Sequence, residues 1–146
     1  KPWTLIIMKL SNTDNVNVLI GQANWAWPQA VSKIFQPRGI NALVAESAND
    51  IVHIINNNKI HMAILDTPPL GQSAMHTLKI IRKEHKLLPC LLLAQKIDNR
   101  LLSQALELKA FSVLTKPIDL DLLAGQIDRL FQKHYQSNIF AEELQD

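Results

Sequence analysis

The sequence predicts one α/β domain built on a five-stranded parallel sheet, doubly wound, with helices on both faces. Three observations carry that expectation. Short, nearly continuous apolar runs alternate with stretches whose apolar residues recur at helical spacing, five of each. Such apolar strands joined by helices pair in parallel and are covered on both sides. With 146 residues, 47% apolar and 19% charged, the chain can bury one core without disulfides or metal, and its composition is not that of a disordered segment.

Asn17-Val18-Leu19-Ile20 reads as the first buried strand, stopping at Gly21. Pro28 to Gln36 reads as a helix with Ala30, Val31, Ile34 and Phe35 at helical spacing; Pro28 suits its first turn and Pro37-Arg38-Gly39 ends it. Ile40 to Ala45 is the second strand. Ser47 or Asn49 can cap a helix running through Asn57, with Ile51, Ile54 and Ile55 on one face. Ile60 to Leu65 is the third strand, closing at Asp66, and Thr67-Pro68-Pro69-Leu70-Gly71 is a loop.

Ser73 caps the next helix, on which Met75, Leu78, Ile81 and Arg82 recur at helical intervals. Pro89 to Leu93 is the fourth strand, and Asn99 caps a helix from Arg100 to Lys109. Phe111 to Leu114 is a short fifth strand. Asp119 or Asp121 opens the last helix, with Leu122, Leu123, Ile127, Leu130 and Phe131 on its buried stripe. Crossovers should be right-handed. The domain is expected over residues 15–135. Residues 1–14 precede it as an extra edge strand or linker, and residues 136–146 follow as a tail or a continuation of the last helix.

Several function classes are disfavoured at once. The net charge is +2 with no block of like charge, so nucleic acid is not an expected partner. The basic stretch Lys79, Arg82, Lys83, His85 and Lys86 reads as the solvated face of a helix rather than a binding patch. The single cysteine, Cys90, lies inside the run Leu87 to Leu93 and reads as a small buried hydrophobe, which suits a reducing, cytoplasmic setting. No segment approaches the ~20 apolar residues that span a membrane, and Leu5-Ile6-Ile7-Met8 lacks a signal-peptide layout. His53, His61, His76, His85 and His134 show no i, i+4 pairing, so no metal site is expected. No Gly-x-Ser-x-Gly and no Gly-rich phosphate loop is present, and Gly21 and Gly71 read as turn residues. The chain starts at Lys1, as expected of a trimmed product or a piece of something longer.

In open α/β sheets the working site lies outside the carboxyl ends of the strands. Strand one brings Gln22 and Ala23 there, strand three Asp66 and Thr67, strand four Ala94 and Gln95, strand five Thr115, Lys116 and Pro117.

The stretch from Ala105 to Ile118, with Lys109-Ala110-Phe111-Ser112-Val113-Leu114-Thr115-Lys116-Pro117, resembles the last third of a response-regulator receiver domain. In that family an alanine-rich helix leads into a short strand and a Lys-Pro pair. Asp66 closes strand three where the family places its phospho-accepting aspartate, and Leu88 to Ala94 resembles its fourth strand. The likeness covers roughly residues 15–135. It implies the flavodoxin-like, CheY-like architecture with strand order 2-1-3-4-5.

The departures are informative. The family's acidic pair after strand one holds Mg²⁺ together with the aspartate; Gln22 and Ala23 stand in its place. Mg²⁺ wants carboxylates and water, so its binding is expected to be weak or absent, and no cofactor is expected. The family's hydroxyl at the end of strand four is replaced by Ala94, and its aromatic switch on strand five by Val113. Pro68, Pro69 and Gly71 suggest a shortened, stiffer loop after Asp66. What survives of the implied site is Asp66, a vestigial phosphoacceptor, and Lys116, expected to form an ion pair that orders the loops. Trp25 and Trp27 flank the mouth, where they either cover the vacated metal position or stack on a ligand.

The leading expectation is therefore a pseudo-receiver of a two-component or phosphorelay pathway. It would be no enzyme and would work by contact with another signalling protein or an output domain. A homodimer is expected through the helix 4–strand 5–helix 5 face, where Gln104, Lys109, Asp119, Asp128 and Arg129 offer polar contacts. Ile139, Phe140 and Leu144 in the C-terminal segment are expected to dock on the same chain or a second one. Two alternatives stand beside it. One is a receiver accepting phosphate on Asp66 with an unusual metal site that uses Glu46 or water. The other is a small-molecule sensor using the vacated pocket.

Overall fold

The computed structural model describes residues 16–21, 27–66 and 74–135. The expected N-terminal strand, the Ser73 cap and the C-terminal helix extension lie outside them. Five parallel strands form one sheet in the order β2-β1-β3-β4-β5. They are β1 (Val16–Gly21), β2 (Ile40–Ala45), β3 (Met62–Asp66), β4 (Cys90–Ala94) and β5 (Ser112–Thr115). The helices are α1 (Trp27–Ala30, prolonged by the π-helical turn Val31–Phe35 and the 3-10 turn Gln36–Arg38), α2 (Ala48–Asn57), α3 (Ala74–Glu84), α4 (Asn99–Glu107) and α5 (Leu120–Tyr135).

Side chains of a strand alternate between its two faces, and this divides the core into two layers. Val18, Ile20, Met62, Ile64, Leu91 and Leu93 face one side, where Phe35 of α1 and Leu123, Ile127, Leu130 and Phe131 of α5 cover them. Leu19, Ala63, Leu65, Cys90 and Leu92 face the other, beneath Ile51 and Ile55 of α2, Met75, Leu78 and Ile81 of α3 and Ala105 of α4. The central strands are buried on both faces, which is why they read as unbroken apolar runs.

Element ends moved from the expected ones for local reasons. Pro37 has no N–H to continue α1, so the chain tightens into a 3-10 turn and stops at Gly39, whose φ is 68°. Ser47, not Asn49, caps α2 by accepting from the Asp50 N–H at 3.1 Å. The expected Asn99 cap is corrected to Asp98, whose carboxylate accepts from the Leu101 N–H at 2.8 Å and leaves Asn99 in the first turn. Asp119 caps α5, accepting from the Asp121 and Leu122 N–H groups. Leu122, expected on the buried stripe, is 53% exposed: the stripe runs through Leu123, Ile127 and Leu130, and its neighbour faces away. Gly21 is no turn residue but the last of β1, where an added Cβ would come 3.0 Å from Leu65 Cδ2 and 3.1 Å from Ile51 Cδ1.

Two polar anchors fasten the helices to the sheet. At the amino edge of the strands, His61 Nδ1 accepts from the Asn17 N–H at 3.1 Å, and the Tyr135 hydroxyl donates to the His61 carbonyl. Burial pushes the Tyr135 phenol up to about 12, so it remains a donor. The second anchor is Arg82. It is not part of a solvated basic face: its guanidinium donates to the carbonyls of Leu108, His85 and Leu88 at 2.8, 3.0 and 2.7 Å, and to that of Lys109 at 3.3 Å. It thereby ties α3 to the turn before β5, where Lys109 adopts a φ of 59°. Charged donors to carbonyls are among the stronger protein hydrogen bonds.

Arg82→Met keeps the aliphatic stem and removes every donor. It is expected to lower the unfolding free energy by about 2–4 kcal/mol, because partly buried carbonyls lose charged partners. Urea denaturation checks this, and a change within about 0.5 kcal/mol, the range of an ordinary surface substitution, would contradict the anchoring role.

Candidate functional site

The parallel register brings the carboxyl ends of the strands to one edge. Gly21 pairs with Ala45 and Leu65, Asp66 with Leu93, and Ala94 with Thr115. Asp66 is the last residue of β3, and its side chain has no exposure. Lys116 follows β5. Its backbone N–H donates to the Ala94 carbonyl at 2.8 Å, which holds the residue against the end of β4. From there its ammonium Nζ reaches Asp66 Oδ1 at 2.6 Å, with 9% of the side chain exposed. The peptide between Lys116 and Pro117 is cis.

The two groups form a desolvated, charge-assisted contact. Taking either charge out of water alone is costly, and each offsets the other only while both are present. Two of the surrounding positions are inert. Ala94 is 2% exposed and offers only a methyl group at the end of β4. Val113 lies level with Leu92 and packs, half-buried, against the layer beneath α2, α3 and α4. Thr115, beside Ala94, is exposed.

Trp27 begins α1 and packs against the layer that α1 and α5 share. Gln22, Ala23 and Trp25, with Pro68, Pro69 and Gly71, lie outside the described residues. Glu46 follows β2, and β1 separates it from β3. Two strand spacings of about 4.8 Å each then divide its backbone from that of Asp66.

Among the described residues, the donors beside Asp66 are a poor fit to a hard divalent cation. Mg²⁺ is held by carboxylates and water in near-octahedral geometry. Here the Lys116 ammonium lies against one carboxylate oxygen. Among the described residues no three His, Cys, Asp or Glu side chains gather in a metal-binding group. The remaining polar candidates resolve into structural roles. Burial pushes the Cys90 thiol up to about 11, far from a reactive thiolate. Asp128, expected on the outer face of α5, instead faces Arg38 in the last turn of α1 at 3.5 Å, and burial raises its carboxyl more than that guanidinium lowers it.

The reading of the sequence missed the roles of Arg82 and of the His61–Tyr135 anchor. For Arg82 a signal was present, since it lies four residues after Leu78 on the buried stripe. For His61 and Tyr135, 74 residues apart, there was none.

Residues 18–128 match the family described as the response regulator receiver domain. The chain is 24% identical to response regulator RR06 of Streptococcus pneumoniae over 120 residues, covering 82% of this chain and 55% of that protein. It is 26% identical to the DNA-binding transcriptional regulator NtrC of Klebsiella pneumoniae over 98 residues, covering 67% of this chain and 21% of that one. The chain thus spans about half the length of the first relative and about a fifth of the second. A two-component response regulator from Clostridium difficile superposes with a TM-score of 0.71 at 18% identity, covering 81% of this chain and 97% of that one, which bears on the fold alone. Five parallel strands in the order 2-1-3-4-5, an aspartate closing the third and a lysine following the fifth accord with a match across most of the chain, and the protein belongs to the response regulator receiver domain family.

Proposed function

We propose that this receiver domain works by protein contact and does not carry out efficient phosphotransfer, so that it is not an enzyme. The observation that carries the reading is the direct, buried contact of Lys116 Nζ with Asp66 Oδ1, set among groups that cannot complete the reaction. Phosphoryl transfer needs a cation to neutralise developing charge, and the residues at 22 and 23 supply no carboxylate for one. A methyl group at Ala94 cannot donate to a phosphoryl oxygen, and Val113 has no ring to swing. Asp66 and Lys116 then serve as an ion pair that orders the site edge. The position of Glu46 beyond β1 weighs against its replacing the missing acids.

The partner we propose is another signalling protein or an output domain, with no nucleic acid bound by this domain itself. Among the described residues no helix is long and apolar enough to cross a membrane. A cytoplasmic setting is the reading that the lone buried Cys90 supports. For self-association we propose the α4–β5–α5 face. Gln104, Lys109, Asp119 and Arg129 remain candidates there, and α4 also exposes Leu102 and Leu106.

The reading is tested by incubating the protein with acetyl phosphate and Mg²⁺ and measuring intact mass. No phosphorylated species is expected, and calorimetry should find Mg²⁺ affinity no tighter than millimolar, weaker than about −4 kcal/mol. Stoichiometric phosphorylation, or micromolar Mg²⁺ binding, would overturn it.

Asp66→Ala strands the Lys116 ammonium and is expected to cost about 3–5 kcal/mol, whereas adding Lys116→Met should recover part of the loss. An unchanged melting temperature in the single variant would refute the structural role of the pair. Light scattering at micromolar concentration should show a dimer that acetyl phosphate does not change; a strict monomer removes the proposed self-association.

A further inference from the structure

The amino edge of the sheet, opposite Asp66, carries an open groove of about 700 Å³. Ile60, Leu88, Pro89 and Tyr135 line it together with Leu87. At 85%, Leu87 is the most exposed large apolar side chain among the described residues. Lys86 is the groove's one lysine and Glu84 its one acid; burial, with Lys133 and Arg82 nearby, holds the His134 imidazole below its usual range and so favours its neutral form. A groove of this size accommodates several side chains, and an apolar surface so placed is a docking site when something on the chain matches it.

The match lies in the sequence that follows. Tyr135 is both a wall of the groove and the last described residue of α5, and its bond to the His61 carbonyl fixes its place there. Residues 136–146 continue from that point. They hold Ile139, Phe140 and Leu144, the carboxylates of Glu142, Glu143 and Asp146, and no Lys, Arg or His. Ile139 is four residues beyond Tyr135, a reach of about 6 Å in a helix or about 13 Å extended.

We propose that residues 136–146 dock into this groove on their own chain, with Ile139 and Phe140 against Leu87 and Leu88 and the acidic residues toward Lys86. The tether selects this occupant over the N-terminal segment, because Tyr135 itself lines the groove and Val16 does not. That segment also adjoins the amino edge, through Val16 of β1, but it carries Lys1 and Lys9 against one acid, Asp14. The proposal is independent of whether Asp66 accepts phosphate.

Hydrogen exchange on the full chain tests it. Amides of residues 139–144 should exchange at least about tenfold more slowly than in a synthetic peptide of residues 136–146. The protection should be the same in dilute and concentrated protein, and Leu87→Asp should abolish it. That variant changes an exposed position, so the fold stays intact. In the reciprocal variant, Phe140→Asp, the methyl resonances of Leu87 should shift. Exchange at the peptide rate, or Leu87 resonances unmoved by Phe140→Asp, would overturn the proposal. Protection that grows with concentration would replace it with docking on a second copy. Protection insensitive to Leu87→Asp would place the segment elsewhere.

Discussion

A carboxylate with no side-chain exposure at the end of a central strand is costly unless an opposite charge or hydrogen-bond donors meet it, and in this protein Lys116 meets Asp66. The requirement reaches well beyond the two side chains. Lys116 can meet Asp66 only if β5 ends beside β4, which the bond from the Lys116 N–H to the Ala94 carbonyl enforces. The register of β5 depends in turn on the turn before it, whose carbonyls Arg82 gathers from α3. An ion pair at one edge of the sheet and a guanidinium anchor toward the other thus hold the same edge strand in place.

In this member of the receiver family Lys116 lies directly against Asp66, with Ala94 closing β4 beside them. Ala94 and Val113 are well packed, so these are stable local solutions rather than gaps.

The two edges of the sheet are closed by different chemistry. At the carboxyl edge an ion pair does the work. At the amino edge His61, Asn17 and Tyr135 form neutral hydrogen bonds that fasten α5 to β3. Burial favours the neutral phenol and keeps that anchor in its donating form. The same anchor holds Tyr135 in the groove that the exposed Leu87 also lines.

The sequence by itself determined the fold class, the five strands and their alternation with helices, because strands buried on both faces must be apolar throughout and helices must carry a stripe. The apolar runs placed Asp66 and Lys116 at one edge of the sheet, and the resemblance to the receiver family singled them out as a pair. Cap positions were legible only to within a residue: Asp98 and Asn99 are both good capping residues, and the geometry of the preceding loop chooses between them. The exposure of Leu122 and the pairing of Asp128 with Arg38 depend on the rotation of α5 about its axis, which adjacent apolar residues leave ambiguous. Only the tertiary structure decided that Arg82 is an anchor and that Tyr135 reaches His61. Those bonds join residues 26 and 74 positions apart, and no local pattern encodes which distant carbonyl a side chain will meet.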